Sequence, residues 1–325
     1  MTFETASISN VGGRAANEDN AGYLEVGNSG CWVVADGLGG HGGGATASRL
    51  VVDAVLTSFQ SNPIVSPEAL RGFLVAAQTA VLREQAEPSL SQMRSTVVVL
   101  LANDQAAVCG HIGDSRLYHF QTGAVVFQTT DHSVPGALAA GGSIPYDQIR
   151  YHEDRNRVLR SLGNSAEVNP AIAERSISNG DMFLLCSDGF WEYVTEPEME
   201  ADATKAAAPA DWLRFMASRL LKRAKPEHDN YTAVAVFCGP VALMAPPLEA
   251  GGGRSQSPGI SHSEKSIWVA LWCLGLILAF FLGVALFAQP LAKAVVKGHW
   301  PIFAAHKKTT RTGTTPAESP ESRGR

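Results

Sequence analysis

Six short runs of apolar and β-branched residues recur through residues 1–240, each bounded by Gly, Asp or Asn. They are CWVVAD (31–36), STVVVLLAN (95–103), AAVCGHIG (106–113), SRLYHFQ (115–121), MFLLCSD (182–188) and TAVAVFCG (232–239). Their length and composition predict strands. Two long helical patterns, 45–60 and 67–87, stand back to back after the first run, and a third covers 209–223. The second opens with Ser66-Pro67-Glu68-Ala69, an N-cap followed by proline at the first helical position. Strands that cluster after a helix pair are incompatible with a strictly alternating parallel βαβ sheet. They predict an α+β architecture, strands packed as a sandwich with helices outside.

Aspartates recur where these runs begin or end. Asp36-Gly37 closes the first run and opens a glycine-rich stretch, Gly113-Asp114 follows the third, Asp188-Gly189 closes the fifth, and Asp229-Asn230 precedes the last. Singly, each reads as an ordinary turn, because Asp-Gly and Asp-Asn are common turn formers. Together, if the strand ends meet, they form an all-oxygen site suited to hard divalent cations such as magnesium or manganese. Upstream, Arg14 precedes Glu18 and Asp19 in RAANEDN. The segment reads as a solvated loop by itself, and beside a cation site Arg14 becomes a candidate phosphate clamp, since guanidinium binds phosphate oxygens in pairs.

The charge is divided unevenly. Residues 1–240 hold 17 Lys+Arg against 27 Asp+Glu, and residues 241–325 hold 9 against 4. An acidic front and a basic tail are not one body. Between them, no charged residue occurs from Ser266 to Ala292, and the densest part, Ile267 to Ala288, is 22 residues. As a helix it spans roughly 30 Å, the bilayer hydrocarbon thickness. A buried core helix is the other reading, although such helices normally keep a polar face. The division expected is a folded main domain at 1–240, a Gly/Pro/Ser-rich linker at 241–265, a transmembrane helix at 266–289 and a basic disordered tail at 290–325. Lys293, Lys297, Lys307, Lys308 and Arg311 outnumber Arg254 and Lys265 across the span. The positive-inside rule therefore favours a cytoplasmic tail. The first five residues lack the basic start of a signal peptide, which favours a cytoplasmic main domain instead. The expectation adopted is a single-pass inner-membrane protein with its large domain in the cytoplasm.

Other classes drop out. The hydrophobic fraction of 45% excludes general disorder, and a pI near 6.0 gives no reason to expect nucleic-acid binding. Five cysteines with no CxxC spacing argue against a disulfide framework or a zinc site.

The ordered series RxxNEDN, ADGLGGH, Ser-Thr before an apolar strand, GDSR, DHS, LLCSDGFW and DNYT resembles the metal-dependent serine/threonine phosphatases of the type 2C (PPM) family, bacterial branch. The resemblance spans Thr5–Cys238. It implies a four-layer α-β-β-α fold, with a central antiparallel β-sandwich flanked by helix pairs, and a centre of two or three Mn2+ or Mg2+ ions. Asp36 matches the bridging ligand and Gly37 the backbone-carbonyl ligand. Asp188 and Asp229 match further ligands, and Asp114 matches the ligand of a third, looser ion. Glu18 and Asp19 match acids that hold metal-bound waters, and Arg14 matches the phosphate-binding arginine. Residues 131–164 resemble the mobile flap that contributes to substrate choice. The implied reaction is hydrolysis of phosphoserine or phosphothreonine by a water bridging two metals. The implied partners are phosphorylated proteins, including a serine/threonine kinase or a forkhead-associated-domain protein.

Two departures stand out. Leu38 occupies the position of a histidine proposed as general acid in animal members, so the leaving-group acid is unassigned, and nearby His41 is as well explained by a structural role. Met93-Arg94-Ser95-Thr96 replaces the usual Met-Gly-Thr-Thr. A catalytically inactive sensing or phosphoprotein-binding module is the alternative, and a hydrolase of small phosphoesters is a third reading. The intact carboxylates favour the active enzyme.

Overall fold

In the computed structural model of the chain, residues 1–39, 43–165 and 167–239 are described. The expected linker, transmembrane helix and tail lie outside them, as does His41. Among the described residues no helix is long and apolar enough to cross a membrane.

The elements run β1 (Phe3–Asn10), β2 (Asp19–Val26), β3 (Ser29–Leu38), α1 (Gly43–Ser61), α2 (Pro67–Glu84), β4 (Arg94–Ser95), β5 (Val97–Ala102), β6 (Ala106–Ile112), β7 (Arg116–Gln121) and β8 (Ala124–Gln128). They continue with α3 (Val134–Ala140), β9 (Ala171–Ser176), β10 (Met182–Cys186), α4 (Asp188–Trp191), α5 (Glu196–Ala203), α6 (Pro209–Arg223) and β11 (Tyr231–Cys238). One sheet is ordered β1-β11-β10-β7-β8. The other is ordered β2-β3-β5-β6-β9, with β4 on the end of β3. Every pairing is antiparallel.

Side-chain alternation along the strands builds the layers. In β3, Cys31, Val33 and Ala35 face outward with Val51 and Val55 of α1 and Leu70 and Leu74 of α2. Trp32 and Val34 face inward and meet Phe183, Leu185, Val234 and Val236 of the opposite sheet. On the far side Leu184, Tyr118 and Phe120 pack with Trp212, Met216 and Leu220 of α6. These three apolar layers make the expected four-layer α-β-β-α sandwich. Each fully buried large side chain contributes about 1.5–3 kcal/mol relative to exposure. Trp32 also donates its Nε1 proton to Thr5 Oγ1 at 2.9 Å, so its one polar atom is satisfied.

The expected helices form with small shifts. Ser66 caps α2, its Oγ accepting from Ala69 N at 3.1 Å. The helix ends at Glu84 rather than at the expected 87, because Pro88 disfavours helical backbone just before it. Gln85 instead reaches the carbonyls of Met93 and Gly163 at 2.6 and 2.9 Å. The strand expected to close at Asp36 continues to Leu38, because β4 pairs with Gly37 and Leu38.

Candidate active site

The antiparallel register of β2 and β3 sets Asp19 opposite Asp36. The main chain of Asp36 is held on one side by Thr96, whose Oγ1 accepts from Asp36 N at 3.0 Å and whose N donates to Asp36 O at 2.9 Å. Ser95 Oγ donates to the same carbonyl at 3.0 Å. One residue on, Gly37 N donates to Glu18 O at 3.1 Å, and Ser48 Oγ of α1 donates to that oxygen at 2.6 Å. Gly37 must be glycine: a Cβ there would collide with the carbonyls of Gly44 and Glu18. Gly44 is equally constrained, because a Cβ would press on the Glu18 carboxylate.

The second sheet delivers the other acids. Asp188 starts α4 directly after β10. Ser187 before it donates Oγ to Asp19 Oδ2 at 2.7 Å, tying the two sheets together at this end. Trp191, in the same turn as Asp188, donates Nε1 to the Asp114 carbonyl at 2.9 Å. Asp229 accepts from Arg14 Nη2 at 2.7 Å. Asn230 clamps the arginine loop: its Oδ1 accepts from Glu18 N at 2.8 Å, and its Nδ2 donates to the carbonyls of Val11 and Ala16 at 2.8 and 3.0 Å. The result is a cleft of about 250 Å³ whose lining includes Arg14, Glu18, Asp36, Gly37, Asp188 and Asp229. Asp19 and Asp114 are buried.

Comparison with known proteins decides the family. Residues 9–230 match the family described as protein phosphatase 2C. The chain belongs to the protein phosphatase 2C family. It is 31% identical over 194 residues to a serine/threonine phosphatase of Listeria monocytogenes, covering 58% of this chain and 77% of that one. A solved structure of PppA, described as a key regulatory component of T6SS in Pseudomonas aeruginosa, is 32% identical with a TM-score of 0.62. The match covers 73% of this chain and 98% of PppA. The catalytic domain of the serine/threonine protein phosphatase PstP, solved with two manganese ions, is 28% identical with a TM-score of 0.63. That match covers 72% of this chain and 97% of that domain.

The electrostatics of this protein phosphatase 2C chain describe crowded negative charge. Burial first, and then repulsion from Asp188, Asp19, Asp114 and Asp229, raises the Asp36 carboxyl well above the ordinary range. Asp188 is raised the same way, by burial and then by Asp114, Glu192, Asp229 and Asp19. Asp19 is pushed to about 6, burial outweighing its hydrogen bonds to Ser187 and Thr232. Asp114 is pushed to about 7, by burial and then by Asp131. Glu18 is raised by burial and by Asp229, against Arg14 and the backbone N–H groups of Ala45 and Gly44.

Such repulsion is relieved by cations, and the donors are all oxygen, as hard divalent ions require. Asp114 adds a direct sign: both of its buried carboxylate oxygens lack a hydrogen-bond partner. The residues therefore fit Mn2+ or Mg2+. Among the described residues no three His, Cys, Asp or Glu side chains form a ready-made cage. Asp229 is committed to Arg14 in this arrangement, and Gly37 would contribute a backbone oxygen rather than a side chain.

Arg14, Glu18, Asp36, Gly37, Asp188 and Asp229 line one cleft, Asp19 stands in register beside Asp36, and Asp114 is not among the lining residues. Leu38 also lines the cleft. Asn230, Asn156 and Val158 were not anticipated. Asn230 lies inside the DNYT motif, so position could have flagged it, whereas Asn156 and Val158 come from the flap segment by tertiary folding alone. Arg94, the departure from the family pattern, donates Nη1 to Asn164 Oδ1 at 3.2 Å. The four described cysteines are buried and free, and burial holds Cys109 up at about 12, unsuited to nucleophilic chemistry.

Proposed function

We propose that the chain hydrolyses phosphoserine and phosphothreonine monoesters in proteins, using two or three Mn2+ or Mg2+ ions. Asp36, the Gly37 carbonyl, Asp188, Asp229 and Asp114 would hold the ions. The observation that carries this reading is the convergence of Asp36, Asp188 and Asp229 with Arg14 in one cleft. The manganese-bound relative supports the choice of ion. When bound, the cations supply Lewis acidity and lower the pKa of water toward about 7, so that hydroxide is available at neutral pH.

The chain's own groups do the rest. Arg14, at the half-exposed mouth of the cleft, exchanges its contact with Asp229 for the phosphoryl oxygens and balances the charge that develops there. Glu18 and Asp19 would orient water by accepting hydrogen bonds from it. Leu38 and Val158 add apolar surface to the cleft wall. The new bond forms between water oxygen and phosphorus as the bond to the serine or threonine oxygen breaks; the water gives up a proton to solvent and the departing oxygen takes one up from it. The test is hydrolysis of p-nitrophenyl phosphate and of a phosphothreonine peptide by the folded chain, with and without Mn2+. Activity that is absent with both Mn2+ and Mg2+ sinks the proposal. Full turnover in Asp36→Asn would remove the ligand assignment.

The proposal extends to a membrane-anchored enzyme opposing a serine/threonine kinase, with a phosphorylated kinase or forkhead-associated-domain protein among its substrates. The uncharged run Ser266–Ala292 supports anchoring at the inner membrane. Anchoring would raise the effective concentration of membrane-bound substrates, residues 241–265 setting the reach. Protease added outside spheroplasts should spare residues 1–240, and their digestion would place the domain on the other side.

A further inference from the structure

A second cavity, of about 530 Å³, adjoins the carboxylate cleft. Its wall holds Arg150, Arg155 and Arg223 with Tyr151, Tyr193 and one acid, Glu192. Three guanidinium groups in one pocket are unusual in a domain with ten more acids than bases. The two cavities have no lining residue in common, but residues adjacent in the chain line them both. Asn156 lines the cleft and its neighbour Arg155 lines the pocket. Asp188 lines the cleft and Glu192, one helical turn later, lines the pocket, with Glu192 N donating to Asp188 O at 2.9 Å. One turn is about 6 Å, and an extended peptide advances about 3.3 Å per residue. The pocket therefore lies within about two to four residues of a phosphorylated side chain seated in the cleft.

The arginines differ in what they can offer. Arg150 is a fixed floor: its Nη1 donates to the carbonyls of Trp191 and Val194 at 2.5 and 3.2 Å, and its Nη2 to Glu196 Oε2 at 2.5 Å. Arg223 binds Glu198 and the Tyr193 carbonyl. Among the described residues, Arg155 spends only its Nε, on Glu192 Oε1 at 3.0 Å, and it is 40% exposed. Its terminal amino groups are left for an incoming anion. Tyr151, 69% exposed, gives the rim an aromatic face.

We propose that this pocket is a substrate subsite for an anionic side chain two to four residues from the phosphorylated one, with Arg155 as its principal donor and Arg223 as its electrostatic support. The inference rests on the phosphatase reading above. The ligand chemistry is a carboxylate or a second phosphate, both of which match the guanidinium fork. An acidic cleft repels acidic peptides, and the exposed terminal amino groups of Arg155 beside it select those that place their charge correctly.

The experiment measures kcat/KM of the full chain with Mn2+ on three sets of phosphothreonine peptides. One set carries Asp or Glu two to four positions away, on either side. Another carries a second phosphothreonine there, and the third carries alanine. The expected result is a preference of about five- to tenfold for an anionic flank on one side, expressed in KM and weakened by salt. Arg155→Met should bring the preference to within about twofold, with an unchanged melting temperature showing that the fold is intact. Preference among the anionic sets tells carboxylate from phosphate. Equal kcat/KM on all three sets overturns the subsite alone, as does a preference that survives in both Arg155→Met and Arg223→Met. A chain that cleaves no phosphopeptide overturns the phosphatase reading itself.

Discussion

Arg14 Nη2 donates to Asp229 Oδ2 at 2.7 Å, joining the loop after β1 to the turn before β11 across 215 positions. The proposed phosphate-binding cation thus rests on a carboxylate of the proposed cation site. Both side chains are about half exposed, 54% and 43%, so the pair adds at most about 1 kcal/mol to stability. Arg14→Ala should therefore leave the melting temperature almost unchanged. It should lower kcat/KM roughly 10²- to 10³-fold, the usual loss for one donor to a developing oxyanion. A large fall in melting temperature with normal turnover would reverse this assignment.

The buried acids set a pH dependence for the protein freed of metal. Asp19 and Asp114 have an ordinary value of 3.8 and titrate in the fold at about 6 and about 7. The fold holds these protons more tightly than the unfolded chain does. The stabilisation is complete below pH about 4 and is lost as pH rises through 6 to 7. Chelated protein should melt progressively lower across that window, and Mn2+ should restore most of the loss at pH 7.5. Thermal melts from pH 4 to 8 with and without Mn2+ measure both, and a metal-free melting point that climbs steadily over pH 5–7 contradicts the crowding of these carboxyls.

Arg116 is the most demanding charge in the interior. Its Nε and Nη2 each donate to an Asp131 carboxylate oxygen at 2.8 Å, its Nη1 donates to Tyr118 Oη at 3.1 Å, and its guanidinium lies 3.5 Å over the Trp191 ring. Arg116→Met leaves Asp131 buried and unpaired, and should cost about 3–5 kcal/mol in urea unfolding. The double variant Arg116→Met, Asp131→Leu should recover most of that loss, because it removes the orphaned charge. A double variant no more stable than the single one would show that packing on Trp191, rather than charge, dominates.

Gly37→Ala tests how tightly the end of β3 is held. The added methyl would strike the carbonyls of Gly44 and Glu18, both backbone, so neither can swing away. Overpacking of this kind costs about 1–3 kcal/mol. It should also displace the Gly37 carbonyl and Asp36 together, so the Mn2+ concentration needed for half-maximal activity should rise. Wild-type stability and metal dependence in this variant would show that the strand has slack.

All six runs read as strands occupy sheet interiors: β3, β5 and β6 in one sheet, β7, β10 and β11 in the other. Of the strands that escaped notice, β1, β2, β8 and β9 are the four sheet edges, and the two-residue β4 pairs only with the end of β3. Interior strands are covered on both faces and read as continuous apolar runs. Edge strands such as FETASISN are half exposed and polar, so their pattern fades. Helix α5, EPEMEADA, escaped for a related reason, since it has little apolar periodicity. Its signal was local: Thr195 and Glu198 form a capping box with a proline in the first turn.

The sequence by itself determined the interior strands, the three long helices and the identity of the acids, because each depends on local periodicity or on an ordered set of short motifs. Tertiary structure decided which acids share a cleft, which lie buried with raised pKa values, and that Asn230 holds the arginine loop. It also decided that Arg150, Arg155 and Arg223 meet beside the cleft. These properties depend on strand pairing between distant residues, such as Asp19 with Asp36 and β1 with β11. No local pattern encodes the distance between two side chains whose separation is set by the whole sandwich.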